Sequence, residues 1–221
     1  MTSRVRAVRR RLARSGPGRT RGHLDFERVT LPARDCDLLR DLLIAERAGT
    51  VVEIGLAYGS SALAIGEALL TVAAPRPRHV IVDPYQERAF GNAGWDLLRA
   101  AGLDRIAELV AEPSSAALPR LVAAGVTADA AFVDGSHRFH EVFVDLYHLR
   151  KIVRPGGLIV LDDDWAPPVR TALRYYERNL GWTAIPGAFA GGTYRAEVPR
   201  CRAVRLPDPA FEPPFQDFHP F

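Results

Sequence analysis

The sequence predicts an α/β fold, a doubly wound and mostly parallel seven-stranded sheet with an antiparallel hairpin at its edge. Three observations carry this. Short β-branched runs alternate with segments of helical periodicity, which is the pattern of strands joined by crossover helices. Polar and acidic residues collect just after the runs, where an open α/β sheet builds its ligand crevice. The last two runs follow each other without a helical segment, so they pair antiparallel.

Taken in order, ARDCDLLRDLLIAERAG (33–49) sets Leu38, Leu39, Leu42 and Leu43 on one helical face and stops at Gly49. TVVEI (50–54) is the first strand, followed by the small-residue loop GLAYGSS and the helical ALAIGEALLTVA. HVIVD (79–83), a helix from Trp95 to Ala101, IAELV (106–110), a helix from Ser114 to Ala124 and AAFVD (130–134) continue the alternation. FHEVFVDLYHLRKIV reads as an amphipathic helix closed by RPGG (154–157), where Pro155 cannot continue it and the glycines turn the chain into LIVLD (158–162). A helix over 166–181 precedes the edge strands GWTAI (181–185) and CRAVRL (201–206).

The 221 residues are 48% hydrophobic and 25% charged, which suffices for one core without metals or disulfides. Cys36 and Cys201 show no metal-site or disulfide-framework spacing, so a reducing cytoplasm is expected. No apolar stretch reaches the ~18–20 residues of a membrane span, and no secretory h-region opens the chain. The net charge of +3 is concentrated at the start, because Arg4, Arg6, Arg9, Arg10, Arg11, Arg14, Arg19 and Arg21 all precede the first acidic residue, Asp25. Residues 1–30 therefore read as a basic, partly disordered extension, 31–206 as the main domain and 207–221 as a Pro/Phe-rich tail. Phe211, Phe215, Phe218 and Phe221 argue that this tail docks, on the body or on a second copy in a homo-oligomer.

The crevice residues narrow the ligand. Gly55 and Gly59 in EIGLAYGSS let a ligand approach the backbone, and Ser60 and Ser61 open the following helix. Asp83, at the next strand end, is placed to accept hydrogen bonds from ribose hydroxyls, which points to a nucleoside. A dinucleotide fits poorly, because G-x-G-x-x-G is absent and Glu53 would repel a pyrophosphate. A cationic sulfonium nucleoside tolerates that carboxylate.

These motifs resemble those of the class I S-adenosylmethionine-dependent methyltransferases, a Rossmann-like family. VVEIGLAYGSSALAIGEAL is similar to their first motif, HVIVDPY to the second, and AAFVDGSH with RPGGLIVLDD to the later ones, over about residues 34–206. FVDGSH, RPGG and LDD together resemble the branch of O-methyltransferases acting on sugars and natural products. The resemblance implies a methyltransferase with a small-molecule hydroxyl acceptor, neither nucleic acid nor membrane being the partner. It implies cofactor contacts at Glu53, Gly55, Tyr58, Gly59, Ser60, Ser61, Asp83, Glu112, Ser114 and Asp134. It also implies Mg²⁺ held by Asp134, Asp162 and Asp163; converging carboxylates independently call for a neutralising cation, and oxygen ligands favour a hard one. His137, three residues past Asp134, is the candidate general base, with Asp134 also in the catalytic set. His140 is expected to support it, and Tyr85 and Trp165 are candidate walls. The alternatives are a nucleic-acid methyltransferase using the arginine-rich arm, although no NPPY-type motif is present, and a cofactor-binding protein without turnover.

Overall fold

The computed structural model describes residues 2–18, 25–191 and 199–221. Seven strands form one sheet in the order β3-β2-β1-β4-β5-β7-β6. They are β1 (Thr50–Ile54), β2 (Arg78–Val82), β3 (Ala107–Val110), β4 (Ala128–Val133), β5 (Val153–Leu161), β6 (Thr183–Ala184) and β7 (Arg202–Arg205). β1, β2 and β3 pair in parallel, as do β4 and β5, whereas β7 runs antiparallel to both β5 and β6. Each run expected to be a strand is one, and the edge hairpin is antiparallel. Eight helices accompany them among the described residues: α1 (Thr2–Ser15), α2 (Phe26–Val29), α3 (Ala33–Ala45), α4 (Ser60–Val72), α5 (Ala93–Ala101), α6 (Ser114–Ala123), α7 (Phe139–Ile152) and α8 (Pro167–Asn179).

The described chain divides into two compact units, one ending at Ser114 and one beginning at Ser115. In the first, α4 is buried along nearly its whole length, from Ser61 to Leu69. That burial explains its small residues. A Cβ on Gly66 would stand 2.4 Å from Leu103 Cδ1, so any larger residue would force the buried Leu103 side chain to move.

The basic N-terminal stretch differs from the solvated arm that its charge suggested. Residues Thr2–Ser15 are helical, and Val5 and Leu12 enter a core cluster with Leu63, Leu97, Leu98 and Leu103. The physical reason is an acidic partner far away in sequence. Glu67, on α4 and 1% exposed, accepts hydrogen bonds from Arg6 Nε at 2.7 Å and from Arg9 Nη1. Burial alone would push the Glu67 carboxyl up, but the two arginines hold it below its ordinary value. Arg4 donates to the Ala100 carbonyl at 2.6 Å. Arg19 and Arg21 lie outside the described residues.

In the second unit, RPGG belongs to β5 instead of preceding it. The register passes from Ala128↔Val153 to Ala130↔Leu158, so the segment is accommodated as a bulge. Gly157 leaves no space for a side chain there, since a Cβ would meet Val153 Cγ1 at 2.5 Å and the Asp129 carbonyl at 2.8 Å.

The C-terminal tail lies along α7 and α8. His219 N–H donates to Asn179 Oδ1 at 2.8 Å while Asn179 Nδ2 donates to the His219 carbonyl at 2.9 Å, a reciprocal pair that ties the tail to the last residue of α8. The Phe221 ring stands 5.1 Å from Tyr175 and 6.3 Å from Phe139, and Arg150 pairs with Glu212. The docking is carried by the last three residues more than by the phenylalanines at large, for Phe215 is 97% exposed.

Candidate active site

In the first unit, the chain turns from β1 into α4 through a loop that is tied to the end of β2. Gly55 N–H donates to the Val82 carbonyl at 2.9 Å, and Gly59 N–H to Leu56 O at 2.7 Å. Gly59 sits at φ +81° as the residue preceding α4, a conformation that glycine adopts without penalty. The N–H groups of the first turn of α4, beginning at Ser60, are thereby presented at the loop.

Asp83 holds this loop. Its Oδ2 accepts from Leu56 N–H at 3.0 Å, Ala57 N–H at 3.2 Å and Gln86 Nε2 at 2.9 Å, and its Oδ1 accepts from Tyr85 N–H at 2.7 Å. The carboxylate expected to serve a ribose is therefore first of all a structural tie, with its free acceptor capacity on Oδ1. Gln86 completes the tie by donating to the Ala57 carbonyl at 2.7 Å. Gly94 makes room for it, since a Cβ there would stand 2.4 Å from Ala57 O. Neither Gln86 nor Gly94 was legible as a site residue. A glutamine three residues past the strand-end acid is the one local hint.

Three of the expected cofactor contacts are turned inward. Glu53 is fully buried; its Oε1 accepts from Ser61 Oγ at 2.5 Å, and its Oε2 lies 2.8 Å from His79 Nε2. Both Glu53 and Ser61 thus brace β1 against α4 from within. Tyr58, 1% exposed, packs between Phe26 and Phe90 with ring centroids 5.7 and 5.2 Å away. Its side chain is core, clustered with Phe90 and Ala93. Glu112 and Ser114 stand half-exposed after β3 and at the start of α6.

In the second unit, the ends of β4 and β5 bring together Asp134, His137 and Asp163, with one potential ligand atom from each lying within 4.8 Å of the others. His137 Nε2 is 2.6 Å from Asp163 Oδ2, and Trp165 Nε1 donates to Asp163 Oδ1 at 2.6 Å. Asp163 adopts φ +52°, an unusual backbone for a residue with a side chain. The hydrogen bond to Asp163 raises the His137 pKa above its usual value, against the opposing effect of burial. Burial would raise Asp163, but His137, the Arg200 charge and Trp165 hold its carboxyl low.

Asp162 does not join this group. It is 3% exposed and clamped by Arg200, whose Nε lies 2.8 and 3.0 Å from its two oxygens and whose Nη2 lies 2.7 Å from Oδ2. Of the expected Mg²⁺ set of Asp134, Asp162 and Asp163, Asp134 and Asp163 fall in this cluster, whose third member among the described residues is His137. Arg200 lies 38 residues from Asp162 beside β7, and no local signal in the sequence pairs the two. His140 is exposed and stands 3.9 Å from Glu141 rather than supporting His137.

The methyltransferase domain family matches residues 52–163, from the first strand to Asp163. The chain belongs to this family. Similar solved structures include the cofactor-bound Rv0187 from MTB, 23% identical with a TM-score of 0.66 over 92% of this chain and 88% of that one. Another is an O-methyltransferase from Bacillus cereus in complex with SAH, 17% identical with a TM-score of 0.66 over 92% and 90% of the two chains. A third is the O-methyltransferase TomG from Streptomyces achromogenes, involved in tomaymycin synthesis and bound to SAM, 22% identical with a TM-score of 0.63 over 93% and 89%. No curated protein matches the chain in sequence. The methyltransferase's sheet order, with its antiparallel β7, is the Rossmann-like arrangement that the sequence predicted. No helix among its described residues is long and apolar enough to cross a membrane.

Proposed function

We propose that this methyltransferase moves the methyl group of S-adenosylmethionine to a hydroxyl of a small molecule, such as a sugar or natural product, in the cytoplasm. The observation that carries the reading is the His137–Asp163 pair at the strand ends, 2.6 Å apart and oriented by Trp165. Its logic is that of a proton acceptor held by a carboxylate. With Nε2–H directed at Asp163, Nδ1 of the neutral imidazole carries the lone pair. The acceptor oxygen attacks the methyl carbon, the carbon–sulfur bond breaks with its electron pair going to sulfur, and the hydroxyl proton passes to His137. Asp163 stabilises the imidazolium that results. Binding of the cofactor falls to the Gly55–Ser60 loop, with Asp83 Oδ1 available to a ribose hydroxyl.

The magnesium set anticipated from the sequence does not fit these residues, because Asp162 is committed to Arg200. Asp134, His137 and Asp163 fit a divalent cation by spacing, and such an ion would acidify a bound hydroxyl. Ligation through Nε2 and the hydrogen bond from Nε2 to Asp163 are, however, mutually exclusive. Solved O-methyltransferases of the same fold carrying SAH or SAM support the cofactor, and Cys36 and Cys201, both buried thiols outside any disulfide, suit a reducing compartment. The nucleic-acid reading is weakened by the intramolecular partners of Arg4, Arg6 and Arg9, which bond to the Ala100 carbonyl and to Glu67.

The test is S-adenosylhomocysteine release with a panel of phenols and sugars, run on the native protein and on His137→Gln. Loss of a general base costs roughly 10²–10⁴-fold in kcat. Cofactor binding without transfer to any hydroxyl acceptor would instead favour a binding protein, and an unaffected His137→Gln would remove the proposed base.

A further inference from the structure

The carboxylates at the ends of β4 and β5 were expected to need an external cation, yet the structure supplies one from the chain. Arg200 is 7% exposed, and it places its guanidinium on both oxygens of Asp162 and 3.5 Å from Asp163 Oδ1. We propose that Arg200 is a built-in counter-cation that withdraws Asp162 from metal coordination and fixes Asp163 for His137, so that this site does not recruit Mg²⁺.

Three features argue for this. The contact is multidentate and charge-assisted, the strongest form that an arginine–carboxylate pair takes. Asp162 also accepts from Cys201 Sγ at 3.2 Å, so a metal would have to displace two partners from a buried oxygen. Finally, Asp162 is held in place by β5 while Arg200 directly precedes Cys201 and β7, two strands whose register pairs Leu161 with Arg202. The sheet itself therefore keeps the two side chains together. With Asp162 excluded, the remaining oxygen donors are Asp134 and Asp163, and the third group is an imidazole. That set suits a borderline transition metal better than Mg²⁺, which prefers oxygen ligands throughout. Arg200 is thus a positioning residue: it acts through Asp162 and Asp163.

The catalytic half of this inference rests on the O-methyl transfer reading, but its test does not require turnover. Mg²⁺ and Mn²⁺ are titrated by calorimetry into the protein saturated with S-adenosylhomocysteine, using the native chain, Asp162→Asn, Arg200→Met and Arg200→Met combined with Asp162→Asn. The expected result is no Mg²⁺ binding below millimolar concentration in the native protein, with at least tenfold tighter binding once Arg200→Met frees Asp162, and loss of that gain in the double variant. Should Arg200→Met fail to fold, Asp162→Asn decides alone, because it leaves any divalent-cation affinity of the native chain unchanged under this proposal. Submillimolar Mg²⁺ binding to the native protein that falls more than tenfold in Asp162→Asn makes Asp162 a ligand and overturns it, as does a folded Arg200→Met that gains no Mg²⁺ affinity.

Discussion

Replacing Asp83 by alanine removes an acceptor from four donors at once. Gln86 Nε2 keeps the Ala57 carbonyl, and Tyr85 N–H belongs to a residue that is half exposed, so both find other partners. Leu56 and Ala57 N–H are the costly pair, held at 3.0 and 3.2 Å beneath the loop. An orphaned buried donor costs about 1–3 kcal/mol; the Leu56 N–H carries that cost in full and the partly buried Ala57 N–H a share of it, for a net of about 2–4 kcal/mol. In a chain of this size each kcal/mol is worth roughly 2–4 °C, so the ligand-free melting temperature should fall by about 5–15 °C. Because the loop must then be reordered when the nucleoside binds, calorimetry with S-adenosylhomocysteine should show affinity reduced by at least ~10-fold, equivalent to ~1.4 kcal/mol. The two readouts separate the two roles of Asp83. If affinity falls while the ligand-free melting temperature stays put, Asp83 is a ribose contact and not a tie, and its structural role is refuted.

Three further outcomes follow from the same geometry. His137 accepts a proton only when neutral, and its pKa is raised by Asp163, so kcat should rise with pH through a value above 6.5. Asp163→Asn should shift that limb toward lower pH, and an unmoved limb would separate His137 from Asp163. Gly94→Ala drives a Cβ to 2.4 Å from Ala57 O and should weaken cofactor affinity several-fold by displacing the loop; native affinity would mean that the loop yields freely. Truncation after Leu206 removes the His219–Asn179 pair and the Phe221 contacts, worth together about 1–3 kcal/mol, and should lower the melting temperature by roughly 2–10 °C. An unchanged melting temperature would make the tail an ornament.

The sequence by itself determined the sheet. The strands centre on short apolar runs, several of them β-branched, and local pattern suffices to place such elements because the side-chain period differs between strand and helix. It also determined that Asp83, Asp134, His137, Asp162 and Asp163 follow strands, since a residue's position relative to its own strand is local information. What each carboxylate does there was decided only in three dimensions. Asp162 and Asp163 are neighbours in sequence, yet one is buried against Arg200 and the other faces His137, a division set by a partner 38 residues away. Glu53 and Asp83 changed roles for the same reason, Glu53 bracing β1 against α4 through Ser61 and Asp83 tying the loop through the Leu56 and Ala57 N–H groups. The basic N-terminus became a packed helix because Glu67, 58 residues beyond Arg9, needed a cation in the interior. A carboxylate's function depends on which donor reaches it first, and that is a tertiary contact that no local pattern encodes.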